Sequence, residues 1–140
     1  MTTTLVADDA ERALREHVAA LPPERALAVR SLSHAWMGGG GTIAVGRLAV
    51  RLTASRGGAP FTAATLRTDR GELEIGRAVV QAHGVSPEEW LHWSDDLAEL
   101  RPNGFDAMAK YSAIRLDGLG DANLARLVGA LRDLARLLQR

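Results

Sequence analysis

The chain has 140 residues, of which 46 % are hydrophobic and 24 % charged, and its 17 basic and 17 acidic side chains give a formal net charge of zero. These values are typical of one globular domain, so we predict a single domain over residues 1–140 with no uniformly basic nucleic-acid-binding surface. The absence of cysteine excludes disulfides, cysteine–zinc sites and thiol nucleophiles, and the lack of a long apolar run or a secretion signal predicts a cytoplasmic protein without a membrane partner.

Two short helices are predicted at the start of the chain. The acids Asp8, Asp9 and Glu11 suit the first turn of a helix over residues 8–21, because the helix dipole attracts negative charge there. Pro22-Pro23 ends this helix and begins the next, whose apolar stripe comprises Ala28, Val29, Leu32, Ala35 and Trp36. The run Gly38–Gly41 lacks the Lys-Ser/Thr pair of a phosphate-binding loop and is interpreted as a flexible connector.

Three antiparallel strands are predicted next. The hydrophobic alternation changes parity at Gly46-Arg47, which indicates a type II′ hairpin turn or a β-bulge within a β region. Another strand is predicted from Phe61 to Thr68, before a tight turn. Residues 72–80 alternate between Leu73, Ile75 and Val79 on one face and Glu72 and Glu74 on the other, which predicts a half-buried strand.

The last part of the chain carries the clearest helix signal. Ser86-Pro87-Glu88-Glu89 has the spacing of a capping box and predicts a helix from Pro87 to about Arg101, with its tryptophans toward the core. A short strand at Ile114–Leu116 and a final helix, with Asp117 and Asp121 as candidate caps, follow. The predicted fold is therefore α+β, in the order α-α-β-β-β-α-β-α, with an antiparallel sheet of about three to five strands.

A leucine seam on the final helix is the candidate surface for a protein partner or a homodimer. Spacings of three and four residues align its members on one side of the helix. The alternative is that the seam packs on the core of its own chain, since two heptads are too few for a free coiled coil. The seam consists of Leu124, Leu127, Leu131, Leu134 and Leu138.

Neutrality conceals an uneven charge distribution. Residues 38–80 contain six arginines against three acids, and residues 81–104 contain Arg101 against five acids. The arginines on the polar side of the predicted strands form a possible anion- or nucleic-acid-binding face, although Phe61 is the one aromatic residue that shares it. These arginines are Arg47, Arg51, Arg67 and Arg70.

Acidic and histidine side chains provide two candidate metal sites for a hydrolase. One comprises Asp69, Glu72 and Glu74, and the other comprises His92 and Asp96 on one helix face. The order of elements is also similar to the core of PD-(D/E)XK nucleases, but Glu74 stands where their motif ends in lysine. We therefore predict no catalytic residue, no bound metal and no cofactor, and keep a degenerate nuclease or metal-dependent hydrolase as an alternative.

The layout of an N-terminal helical region, an antiparallel sheet, a helix after the strands and a long C-terminal helix resembles the YbjN family and the type III secretion chaperones. The resemblance covers most of the chain and rests on architecture. It implies a homodimer without catalysis that binds a segment of another protein along a helix groove or a sheet edge. The leading hypothesis is a non-enzymatic, chaperone-like or adaptor module, and the alternative is an arginine-faced nucleic-acid-binding or DNA-repair accessory protein.

Overall fold

The protein is described by a computed structural model covering residues 2–55 and 58–139, with side chains from Asp9 onward. The chain forms five α-helices, one 3₁₀ segment and five strands within this range. Their bounds are α1 Thr2–Ala19, α2 Pro23–Gly38, β1 Thr42–Val45, β2 Ala49–Ala54, β3 Phe61–Arg67, β4 Glu72–Gly76, α3 Arg77–Ala82, α4 Pro87–Ser94, the 3₁₀ segment Asp95–Asn103, β5 Tyr111–Arg115 and α5 Asp121–Leu138.

The five strands form one antiparallel sheet in the order β1-β2-β3-β4-β5. Cross-strand pairing aligns Val50 with Leu66, Leu66 with Leu73, and Leu73 with Ile114. All four side chains are buried in the core, so this row marks the covered face of the sheet. The α+β class and the predicted order of helices and strands are confirmed.

The helices bury the covered face of the sheet. Helix α2 packs mainly on α5, and α5 also contacts the 3₁₀ segment and α4. Each tryptophan is buried and donates its indole N–H to a backbone carbonyl: Trp36 to Thr53, Trp90 to Ala107 and Trp93 to Ala130, each at 2.8 Å. The indole N–H groups of all three tryptophans are therefore hydrogen-bonded within the core.

The proline and glycine signals mark the two ends of α2 as predicted. Pro22 precedes the helix and Pro23 is its first residue. The glycine run ends the helix, but it is closely packed and not a loose connector: a Cβ on Gly39 would lie 2.3 Å from the Arg132 carbonyl oxygen, and one on Gly41 would lie 2.2 Å from Trp36 Nε1. Glycine is needed here because two parts of the core approach the backbone.

Two helix starts differ from the prediction. Helix α1 begins at Thr2, so Asp8, Asp9 and Glu11 lie beyond its first turn. Helix α5 begins after Gly120, whose φ is +85°, and no side chain caps it. Asp117 lies too far before Gly120 to cap α5, and its carboxylate contacts Arg25 at 2.6 Å. Asp121 is the first residue of the helix and not its cap.

Two strand predictions are also corrected. β1 and β2 form a hairpin, but its turn residues are Arg47 and Leu48, and Gly46 lacks the positive φ of a type II′ turn. β4 ends at Gly76, so Val79 lies in α3 and not in the strand. The chain turns there because Arg77 Nε donates to the Ala109 carbonyl and the Ala78 N–H donates to that of Lys110.

The capping box is confirmed, whereas the length of its helix is not. Ser86 Oγ accepts from the Glu89 N–H at 3.1 Å, and Glu89 Oε1 accepts from the Ser86 N–H at 3.0 Å. The α-helix ends at Ser94, whose hydroxyl donates to the Leu91 carbonyl, and the chain continues to Asn103 as a 3₁₀ segment. Such back-bonding competes with the α-helical ladder and helps to explain the change of geometry.

Candidate functional site

The leucine seam lies in the core of its own chain. Leu127, Leu131, Leu134 and Leu138 are fully buried, while Leu124 is half-buried. Their burial follows from the packing of α5 on α2 and on the 3₁₀ segment. A side chain with no exposed surface has none to offer a partner, so the alternative of intramolecular packing accounts for these four leucines, and the homodimer stays a prediction that needs another surface.

The uncovered side of the sheet, here called the open face, carries the predicted arginines together with acids. Cross-strand pairing aligns Arg67 with Glu72, and Glu72 with Arg115. A second row runs from Ala44 through Arg51, Thr65 and Glu74 to Ala113. The open face is defined by Thr42, Ala44, Ala49, Arg51, Thr53, Thr62, Thr65, Arg67, Glu72, Glu74, Tyr111, Ala113 and Arg115.

Ion pairs divide the predicted arginine set. Arg67 Nε lies 3.4 Å from Asp69 Oδ1, and Arg67 Nη1 lies 3.5 Å from Glu74 Oε1. Arg51 is on the open face, whereas Arg47 and Arg70 are exposed in the turns. The structure therefore gives this face both signs of charge, which attracts a polyanion less strongly than the arginine face that the strand parity indicated.

The Arg67–Asp69 pair shifts both groups toward their charged forms. Although partial desolvation opposes the change, the hydrogen bond and charge of Arg67 lower the pKa of Asp69 below its usual value. The hydrogen bond that Arg67 donates to Asp69 correspondingly raises the pKa of the Arg67 guanidinium. Because both groups are well hydrated, the pair orders the β3–β4 turn and contributes little energy.

The metal-site candidates do not converge among the described residues, where no group of three or more His, Asp or Glu side chains could hold a metal ion. Asp69 and Glu74 are instead engaged by Arg67. His92 and Asp96 line a depression together with Glu89 and Asp133. His83 stacks on Phe61 with ring centroids 3.6 Å apart, which fixes the end of α3 against β3.

The segment between the 3₁₀ segment and β5, residues 105–110, carries Met108, the most exposed large hydrophobic side chain of the described residues. Met108 is 73 % exposed on this segment, which nonetheless is tightly held. The Ala107 carbonyl accepts from Trp90 Nε1, the Met108 N–H donates to Asp106 Oδ1, and the Asp106 carbonyl accepts from the Ser112 hydroxyl. The exposed methionine is thus presented on a fixed backbone.

Met108 borders a cleft of about 230 Å³ between this segment and α4. Leu91, which is 48 % exposed, contributes a second apolar group. We call this the Met108 cleft; it is lined by Leu91, Ser94, Asp95, Ala98, Arg101, Phe105, Asp106, Ala107 and Met108. Drug-sized ligands usually take pockets of about 300–1,000 Å³, so this cleft suits one or two side chains of a partner.

Sequence reasoning did not find the Met108 cleft. Met108 lies in an irregular segment with no periodicity, and Leu91 precedes His92 on the side of α4 that was expected to be solvated. The capping box was a signal for the position of α4, but nothing local in the sequence indicates that Trp90 holds the distant Ala107 carbonyl. The cleft depends on that contact between two separate parts of the chain.

Comparison of the chain with family models, with curated proteins and with solved structures found no match. The resemblance to the YbjN family and the type III secretion chaperones therefore stays a prediction. Among the described residues, no helix is both long and apolar enough to cross a membrane.

Proposed function

We propose that this protein is a non-enzymatic, chaperone-like or adaptor module that binds another protein at the Met108 cleft. The observation that carries the proposal is the 73 % exposed Met108 on a segment held by hydrogen bonds from α4 and β5. Exposed apolar groups at a cleft mark interaction sites, and methionine adapts to varied partners. A fixed backbone reduces the entropy lost on binding.

The charges around the cleft favour a basic partner segment with an apolar anchor. Asp95 and Asp106 line the cleft against Arg101. The wider stretch over residues 81–104 has five acids and one arginine, a net charge of −4 with neutral histidines. Complementary charge would speed the encounter and fix the orientation of such a segment, while the apolar anchor would supply most of the affinity.

The surroundings of the candidate catalytic groups favour binding over chemistry. Asp69 and Glu74 are held by Arg67 at the edge of an open, hydrated face. General acid–base catalysis requires groups converging on a substrate position in a protected cleft. These carboxylates instead make ion pairs typical of a surface, which supports a binding role.

The proposal is tested with a designed pair of short amphipathic peptides that share a leucine pattern and carry either lysine or glutamate at all other positions. Binding is followed by the intrinsic tryptophan fluorescence of the chain, to which Trp90 contributes from an indole that contacts the cleft segment. The lysine peptide should bind with a salt-sensitive affinity at least tenfold above that of its glutamate twin.

The matched variants are Met108→Asp and Leu48→Asp. Both replace an exposed apolar side chain, and Leu48 lies in the β1–β2 turn outside the cleft. Met108→Asp should weaken binding of the lysine peptide by about tenfold or more, and Leu48→Asp should leave it unchanged. Equal binding of the two peptides, or equal loss in the two variants, would contradict the proposal.

A further inference from the structure

The open face has a charge pattern that is complementary to itself. Going across the sheet, its row through Thr65 places Arg51 on β2 and Glu74 on β4, one strand to either side of β3. A two-fold axis parallel to β3 and above the sheet exchanges β2 with β4. Two copies stacked around that axis therefore bring each Arg51 opposite the Glu74 of the second copy.

We propose that the open face is an interface between two copies of this chain, packed sheet on sheet around an axis along β3. A two-fold contact requires a surface that is its own complement, and two reciprocal arginine–glutamate pairs meet that requirement. Arg51 is exposed and makes no ion pair with any residue of the described chain, so its guanidinium is available to a second copy.

The shape of the face is compatible with sheet stacking. The row through Thr65 ends in small side chains, Ala44 on β1 and Ala113 on β5, which an axis along β3 brings opposite each other, and stacked sheets approach to about 10 Å. Arg67 would lie near its own copy across the axis, where Asp69 offsets its charge at 3.4 Å and Glu74 is shared between Arg67 and the Arg51 of the second copy. Tyr111, which is 64 % exposed, lies at the margin on β5 and covers Gly76.

The β5 edge of the sheet is a less suitable interface between two copies than the open face. On β5, a Cβ placed on Gly104 would lie 2.3 Å from the Ala113 carbonyl oxygen, so the Gly104 backbone already covers part of that edge. The Ser112 hydroxyl is bonded to Asp106 beside it. This covering disfavours strand-to-strand addition at β5.

The area of the open face limits the affinity that we expect between two copies. Strands of four to seven residues, about 4.8 Å apart and about 3.4 Å per residue, give the five-stranded face roughly 400 Å² per copy. A standard interface buries about 800 Å² per partner. The association should therefore be weak, with a Kd in the high micromolar range, and should weaken further with added salt because its pairs are polar.

Sedimentation equilibrium of the full chain from micromolar to millimolar concentration tests the interface. Arg51→Glu places two acids opposite each other and should raise the dimer Kd by at least tenfold. Combining it with Glu74→Arg restores opposite charges across the axis and should recover most of the loss. Arg132→Glu on α5 makes the same charge change away from the face and should have no effect.

Cross-linking provides a readout that does not depend on charge. Since the chain lacks cysteine, Thr65→Cys introduces a single thiol close to the proposed axis. A short bis-maleimide should join two copies through residue 65 much faster than through an Ala122→Cys control, which is exposed at the start of α5. Circular dichroism and thermal melting of each variant verify that it is folded.

A wild-type chain that stays monomeric at millimolar concentration would overturn the inference. So would a dimer that Arg51→Glu and Arg132→Glu weaken equally, or one that cross-links no faster at residue 65 than at residue 122. Each of these results leaves the Met108 cleft untouched, because that site lies on α4 and the segment before β5.

Discussion

The leucine seam and the Met108 cleft are both apolar, yet the fold treats them in opposite ways. The seam is regular, and its central residue Leu131 is fully buried by its own chain. The cleft is irregular, and Met108 remains exposed on a segment fixed by Trp90 and Ser112. The periodic pattern therefore marks residues that the chain uses to fold, whereas the exposed Met108 lies on an ordered, aperiodic segment, where we propose that a partner binds.

The largest expected effect separates these two regions directly. Leu131→Ala should lower the free energy of unfolding by about 3 kcal/mol, because it leaves a cavity in the core. Met108→Ala removes an exposed side chain and should change it by less than about 0.5 kcal/mol. Urea denaturation of both variants measures the contrast, and equal losses would mean that Met108 is structural.

A second comparison examines the C-terminal end of α2, where the glycine run packs against α5. Gly39→Ala should cost about 2 kcal/mol, because the new Cβ meets the Arg132 carbonyl and Ala135. Gly38→Ala is the matched control, since its Cβ would approach Arg132 Nε at 3.9 Å and nothing closer. Thermal melting checks both variants, and a tolerated Gly39→Ala would contradict close packing at this helix end.

The helix that carries Leu91 should respond more mildly. Ser86→Ala removes the cap of α4 and leaves the Glu89 N–H without its partner, which should cost about 1 kcal/mol. Ser86→Thr keeps a hydroxyl at the cap and should cost clearly less. Denaturation curves for the pair test the cap, and equal losses would show that the hydroxyl bond does not stabilise α4.

The smallest expected effect on stability concerns Asp69, which lies outside both the leucine seam and the Met108 cleft. Since Arg67 lowers the pKa of Asp69, the stabilising pair is complete above the ordinary carboxyl pKa of about 4 and is lost as the pH falls through the lower folded-state pKa. Asp69→Asn should therefore be slightly less stable than the wild type at neutral pH. The difference should disappear under strongly acidic conditions, and parallel acid-unfolding curves would contradict this account.

Local signals predicted the elements well where each acts within one turn or strand. Pro23, Ser86 and the alternation around Leu73 placed α2, α4 and β4 close to their observed positions. Contacts between distant parts of the chain determined the features that these local signals could not predict. The Arg25–Asp117 ion pair joins α2 to the loop before α5, and the contact of Trp90 with Ala107 forms the Met108 cleft.

The candidate site was harder to predict because the solvent exposure of a side chain depends on contacts that exist only in the complete fold. The spacing of the seam gave the same pattern for a core and for an interface, and only packing distinguished them. The strand parity correctly placed Arg51 and Arg67 away from the core, but the sequence did not show that Glu74 would lie within 3.5 Å of Arg67. The pairing of β3 with β4 brings Glu74 beside Arg67, so the open face carries both basic and acidic side chains.

The contact between α2 and α5 has a consequence for the order in which the chain acquires its structure. The sheet pairs each strand with its neighbour in sequence, so its hydrogen-bonded ladders close over short loops, apart from the β4–β5 connection. Helix α2, by contrast, packs mainly on α5, which lies much later in the chain. During synthesis α2 therefore remains without its main packing surface until α5 has left the ribosome, so the described core is completed only after α5 is made.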